Sequence, residues 1–293
     1  MIGLERFTRG RQPVVCLDFG RDRLTALEVL NGAVTRWISR PLPQDALTSG
    51  DPVLPEYLGD AVRQALARAG MVSKRARIAL PDEATVSRQV TLPPMARRDL
   101  ARAMQFAAER HIPFPIDRAR WAWDVIAQDH DRITVYLVAT WRDVVERYAE
   151  MARAAALEPE VLEPRAVSVA RALDQDQALV LDAGLSRLHA MLVVTGQPTF
   201  VDEVPVGTVV LDEREALDRL LQRAYRHQST VAGLPGRLAP ILLAGDLEDA
   251  DLPLPVAGRP VSEVLNGQLP HTPQGFRPGA YLANLGLSMR RSG

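Results

Sequence analysis

The sequence predicts a two-lobed α/β protein in which the second lobe repeats the first and the first carries a small inserted α+β subdomain. Three observations lead there. Residues 14–41 recur 164 positions later: aligned without a gap, 17–41 and 181–205 share ten of twenty-five residues, among them Asp18/Asp182, Gly20/Gly184, Gly32/Gly196 and Pro41/Pro205. Average residue usage would match about one or two. Both copies also follow one grammar: an apolar run ends in Asp-x-Gly, a second apolar strand follows (24–30; 188–194), and Asn31-Gly32 or Thr195-Gly196 turns the chain into a third (33–39; 199–204). Asn-Gly between apolar runs marks a tight hairpin, because both central residues of a type I′ turn need positive φ. Finally, the texture changes from Ala84 onward, where alternating strands and two helices replace the lobe pattern.

In chain order, Pro41 to Pro55 is a connector rich in turn residues. Apolar positions Leu58, Ala61, Val62, Ala65, Leu66 and Ala69 predict a helix over 58–69, stopped by Gly70. Residues 77–81 form a short strand closed by Pro81, with Asp82 and Glu83 behind it. The strand 85–92 alternates, Pro93-Pro94-Met95 leads to a helix over 96–110, and His111-Ile112-Pro113-Phe114-Pro115 forces an extended corner. Strands over 121–127 and 133–139 and an amphipathic helix over 141–155 complete the insert. Residues 163–173 predict a helix returning to the first lobe, and Asp174-Gln175-Asp176-Gln177 marks the lobe boundary. After the second hairpin come one helix (213–227), a loop (229–237), a buried strand running into Ala244-Gly245-Asp246, and a closing helix over 279–289. The first lobe is thus 13–84 plus 158–176, the insert 85–157 and the second lobe 177–293.

Composition narrows the chemistry. Near-average apolar content (47%), charged content (24%) and a net charge of −1 give no footprint for nucleic acid. No run approaches the ~18 apolar residues of a membrane span and the start lacks a signal-peptide core, so the expected location is the cytosol. Cys16, the one cysteine, lies in an apolar strand and reads as a small buried hydrophobe. Lys74 is the sole lysine, so a Gly-Lys-Ser/Thr phosphate loop cannot be built. The five histidines stand far apart without metal-ligand spacing. The insert is rich in arginine (Arg88, Arg97, Arg98, Arg102, Arg110, Arg118, Arg120), either a solvated face or a docking surface for an acidic partner or anionic headgroups.

Two strand–Asp-x-Gly–hairpin units, separated by a lobe with an insertion, resemble the actin-like (ribonuclease H-like) superfold. The segments Leu17-Asp18-Phe19-Gly20, Val90-Thr91-Leu92-Pro93-Pro94-Met95, Ala108-Glu109-Arg110-His111-Ile112-Pro113-Phe114, Leu137-Val138-Ala139-Thr140 and Leu285-Gly286-Leu287-Ser288-Met289-Arg290 are similar to the PilM family of type IV pilus assembly proteins. The resemblance implies a cytosolic adaptor beneath an inner-membrane platform, binding the short N-terminal peptide of a PilN-like membrane protein between the first lobe and the insert. Leu92, Met95, Leu100, Met104, Ile112 and Phe114 would line that groove, with subdomain core as their other reading. Self-association is left open.

The resemblance also implies an ATP site with magnesium held through water by Asp18 and Asp182. Asp18, Gly20, Thr25, Asp182, Gly184, Ser186 and Gly245 are its candidate residues. The chain departs from that pattern at each part: Arg21-Asp22-Arg23 replaces a small hydroxyl run, leaving Thr25 as the nearest hydroxyl. Ala244-Gly245-Asp246 replaces a glycine pair, and a single helix between Gly207 and Ile241 gives a reduced second lobe. An alternative from another class is an ATP-dependent phosphotransferase with Asp82 or Glu83 as general base. Other scaffold readings are a filament-forming division-type protein or the cytosolic domain of a type II secretion platform protein.

Overall fold

The computed structural model describes residues 12–20, 23–43, 45–183, 187–205, 213–231, 239–249, 257–265 and 272–290. The first lobe is a five-stranded sheet of β1 (Val14–Phe19), β2 (Arg23–Leu30), β3 (Ala33–Pro41), β6 (Arg75–Leu80) and β10 (Glu158–Pro164) in the order β10-β6-β1-β2-β3. Between β3 and β6 run a two-residue ladder, β4 (Leu47–Thr48) with β5 (Asp51–Pro52), and helix α1 (Pro55–Arg68). The insert is a three-stranded antiparallel sheet of β7 (Thr85–Leu92), β8 (Ala119–Gln128) and β9 (Ile133–Trp141), with helix α2 (Arg97–His111) between β7 and β8. Helices α3 (Arg142–Ala154) and α4 (Arg165–Leu173) flank β10. The second lobe holds β11 (Gln177–Ala183), β12 (Arg187–Val194), β13 (Gln197–Pro205), α5 (Glu213–Val231), β14 (Ile241–Gly245), β15 (Arg259–Pro260) and α6 (Val261–Leu265), closed by α7 (Leu282–Met289). Its sheet order, β13-β12-β11-β14-β15, matches that of the first lobe.

The duplication holds at the level of single residue pairs. Leu17 pairs with Ala26 and Ile78, as Leu181 pairs with Ala190 and Leu243. Even the β-bulge repeats: the register shifts between Glu28 and Val29 in one hairpin and between Leu192 and Val193 in the other, 164 positions on. Both hairpin turns carry positive φ at both central residues, Asn31 and Gly32, then Thr195 and Gly196. Thr195 takes that conformation although it is β-branched, so the hairpin geometry overrides local preference.

Three apolar layers follow from strand alternation. The outer face of the first sheet, through Val15, Leu17, Phe19 and Ile78, packs on α1 and α3. The outer face of the second sheet, through Leu179, Leu181, Leu192 and Leu243, packs on Ala216, Leu217, Leu220 and Leu221 of α5. The two inner faces meet around α4 and α7, where Cys16, Leu27, Val180 and Met191 share one core with Val169, Leu173, Leu282 and Leu285. Cys16 is fully buried, as its apolar strand predicts, and burial pushes its thiol up to about 12.

The structure differs from the sequence reading at three places. The strand β10 was not foreseen: Pro159 and Pro164, with the register shift between Pro159 and Val161, obscure its alternation, and the expected helix begins at Arg165 rather than 163. Residues 142–157, expected in the insert, pack instead in the first lobe, where Val144, Tyr148, Met151 and Leu157 join its outer core. Gly59 allows that contact, since a Cβ there would lie 2.5 Å from the Met151 carbonyl oxygen. Of the loop expected over 229–237, residues 229–231 belong to α5, which runs to Val231, and the rest lie outside the described residues. The closing helix follows its expectation, with a tight turn over Pro278–Tyr281 before α7.

Candidate functional site

The residues after β1, the end of β11, the end of β6 and the start of α4 converge on one cleft of about 310 Å³, lined by Asp18, Gly20, Asp82, Arg165, Asp182 and Gly245 among others. Asp18 and Asp182 occupy equivalent places near the ends of β1 and β11, so the lobe repeat aims two carboxylates at the same space. Arg165 stands in that space. Its Nε lies 3.2 Å from Asp18 Oδ2, its Nη2 3.0 Å from Asp182 Oδ2, and its Nη1 4.0 Å from Asp82 Oδ2. Pro164 starts α4 and places Arg165 in its first turn, while the following amide, Ala166 N–H, donates to Asp82 Oδ1 at 3.0 Å.

The electrostatics are those of a crowded, partly dry site. Burial raises the pKa of Asp18, Asp182 and Asp82, the last to about 6, and the Arg165 charge opposes the rise in each case. Burial works against the guanidinium as well, but the three carboxylates together hold it above its ordinary value. Asp18 Oδ1 is buried without a hydrogen-bond partner. Gly245 sits beside Asp182 with φ +60°, and a Cβ there would fall 2.7 Å from Asp182 Oδ1. Glycine is therefore required at 245 by both backbone conformation and space.

Of the residues expected at a nucleotide site, Asp18, Gly20, Asp182 and Gly245 come together around this cleft. Gly184 and Ser186, with Arg21 and Asp22, lie outside the described residues. Thr25 lines the cleft, but its hydroxyl is committed elsewhere: it donates to Asn284 Oδ1 at 2.9 Å, and Asn284 Nδ2 donates to the carbonyls of Cys16 and Thr25. Asp82, the alternative general base, is held by the α4 amide and faces Arg165. Asp18 and Asp182, expected to hold magnesium through water only if a nucleotide binds, both contact the Arg165 guanidinium. Sequence reasoning missed Arg165, because one arginine after a proline among 34 arginines carries no signal until the fold sets it between the two Asp-x-Gly turns.

The six residues expected at a peptide groove all belong to the core between α2 and the three-stranded sheet. Leu100, Met104 and Ile112 are buried there, while Leu92, Met95 and Phe114 keep part of their surface. Phe114 stacks on Trp141 with ring centroids 4.3 Å apart, and Trp141 packs against the first lobe's core. The Arg118 guanidinium lies 5.2 Å from the Trp141 ring, so an aromatic and cationic seam joins subdomain to lobe.

Two sheets of matched order and register, with helices between them and Asp18 and Asp182 at equivalent places on an interlobe cleft, define a two-lobed actin-like fold. Within that class the chain belongs to the family of type IV pilus assembly protein PilM, whose family model matches residues 19–215. It is similar to a solved structure of the PilM–PilN type IV pilus biogenesis complex, at 21% identity and a TM-score of 0.67, over 94% of this chain and 97% of that one. It is also similar to the cytoplasmic domain of EpsL, an inner-membrane component of the Vibrio cholerae type II secretion system. That match has 13% identity and a TM-score of 0.56, over 87% of this chain and 94% of the other. Among the described residues no helix is long and apolar enough to cross a membrane.

Proposed function

We propose that this protein is an adaptor at the cytosolic face of an inner-membrane pilus platform, and that it binds the short N-terminal peptide of a PilN-like membrane protein along the seam between subdomain and first lobe. The observation that carries the reading is that Leu92 and Met95 before α2, and Phe114 after it, keep part of their surface on a subdomain whose deeper residues form a closed core, with Phe114 stacked on Trp141 at the seam. Family membership supports the partner class. Such a surface offers shallow side-chain pockets on a rigid support, which suits an extended or turn-like peptide.

The test is a calorimetric titration of the protein with a peptide from the cytosolic N-terminus of the single-span membrane protein encoded beside it. Binding at about micromolar affinity is expected, with quenching of Trp141 as a second readout. Met95→Glu and Phe114→Ala should weaken it about tenfold or more, an ordinary loss for an interface anchor. Saturable phosphoryl transfer from ATP to a small hydroxyl substrate, with no peptide binding, would overturn the adaptor reading in favour of a phosphotransferase.

A further inference from the structure

We propose that Arg165 is the resident cation of the interlobe cleft, standing where a nucleotide-bound metal ion would otherwise bridge Asp18 and Asp182, so that the lobes are held in register by the chain itself and the cleft does not take a metal–nucleotide. Three observations converge on this. The guanidinium contacts a carboxylate from each lobe copy, Asp18 at 3.2 Å and Asp182 at 3.0 Å, and faces Asp82 behind β6. It is not a wandering surface side chain, being 22% exposed and rooted in the first turn of α4, whose next amide is fixed to Asp82.

The oxygens left over do not make a metal shell. Asp18 Oδ2 and Asp182 Oδ2 are engaged by Arg165 and Asp82 Oδ1 by an amide, which leaves one oxygen on each carboxylate, Asp18 Oδ1 among them buried without a partner. Magnesium requires about six oxygen ligands in near-octahedral array and gives up its waters reluctantly. A dication brought beside a guanidinium already sharing those carboxylates would also meet like-charge repulsion. The hydroxyl nearest the first turn, Thr25, is spent on Asn284. The cleft wall adds Glu83, Asp202, Glu203 and Asp246 against Arg23 and Arg187, an acidic excess that disfavours the approach of polyphosphate even though Glu203 is paired with Arg187 and Asp202 with Arg223.

A cation built into the chain differs from a bound one in a testable way. A ligand that bridges two lobes makes their arrangement depend on its concentration, whereas a guanidinium on α4 is always present. The proposal goes beyond the adaptor reading and is tested without the partner peptide, so either can fail alone. The wild-type protein is titrated with manganese, counted by electron paramagnetic resonance, and with magnesium ATP by calorimetry. No saturable binding is expected up to about 1 mM, the weak end of the range for protein carboxylate sites. Arg165→Ala, which frees the three carboxylates, should bind manganese at least about tenfold more tightly than wild type, and Asp18→Asn on that background should abolish the gain. Wild-type binding of magnesium ATP below about 100 μM, lost in Asp182→Asn, would overturn the proposal. So would a folded Arg165→Ala protein that gains no ion. If Arg165→Ala does not fold, the wild-type titrations decide the matter, and Arg165→Lys, which keeps the charge, should fold and still bind no metal.

Discussion

The Arg165 guanidinium lies 3.0 Å from the carboxylate of Asp182, joining the first turn of a helix that follows the first lobe to the end of the second lobe's first strand. That pair, shared with Asp18, turns two repeated Asp-x-Gly turns into one electrostatic joint. Its neighbours determine how the joint responds to pH and to mutation.

Asp82 should make stability fall as pH rises through its own titration. Burial, with Asp18 and Glu83 close by, holds its carboxyl up to about 6 against an ordinary 3.8, although Arg165 and the Ala166 amide pull the other way. The folded state therefore binds the extra proton between about pH 4 and 6, so this group's contribution declines across that window and is level above it. Asp82→Asn mimics the protonated form and keeps an acceptor for the amide. The variant should match wild type near pH 4 and exceed it by up to about 3 kcal/mol above pH 6 in urea denaturation. Glu28 and Glu163 act in the opposite sense: burial opposes their charge, but hydrogen bonds hold both carboxyls low, so their contribution is lost on acidification. Only the difference between variant and wild type isolates Asp82, and a difference independent of pH would refute the assignment.

Gly286→Ala should be among the most damaging single changes. A Cβ at 286 would fall 1.7 Å from the Ser168 carbonyl oxygen, where α7 crosses α4 backbone to backbone. The helices must part, at a cost of about 3 kcal/mol or more. Gly20→Ala is the contrast: its Cβ meets Arg23 O at 3.3 Å, a small adjustment, and it should lose under about 1 kcal/mol. Equal thermal midpoints for the two variants would contradict the packing account.

Asn284→Ala should loosen the closing helix from the first lobe. Asn284 is fully buried and makes three hydrogen bonds, accepting from Thr25 Oγ1 and donating to the carbonyls of Cys16 and Thr25. Its removal strands a buried hydroxyl and two carbonyls, a loss of about 2–4 kcal/mol. Hydrogen exchange should quicken first in α7 and β2, and Thr25→Val should cost less because it leaves only one partner unsatisfied.

Met104 and Met95 separate core from surface within the subdomain. Met104 is fully buried under α2, so Met104→Ala should cost about 2–4 kcal/mol while touching peptide affinity only through stability. Met95 is half-buried, so Met95→Ala should cost under about 1 kcal/mol yet weaken the peptide complex. Calorimetry of both variants at a temperature where each is folded checks the division.

The lobe repeat, both hairpins with their positive-φ turns, the actin-like class and the convergence of Asp18 and Asp182 were all legible in the chain. Each is written in local residue choices: strand alternation, Asn31-Gly32, and a copy of the same pattern 164 residues later. The subdomain residues were legible as a group, but which of the six are sealed and which keep surface depends on how α2 settles on its sheet. Long-range packing settled the rest. It returned α3 to the first lobe through the close contact at Gly59, spent Thr25 on Asn284 across 259 residues of chain, and set Arg165 between Asp18 and Asp182. Charge and hydrogen-bond partnership between distant segments leaves no periodicity in a sequence. It is fixed by packing, and here packing gave a cation of the chain the position that the turns alone suggest for a ligand.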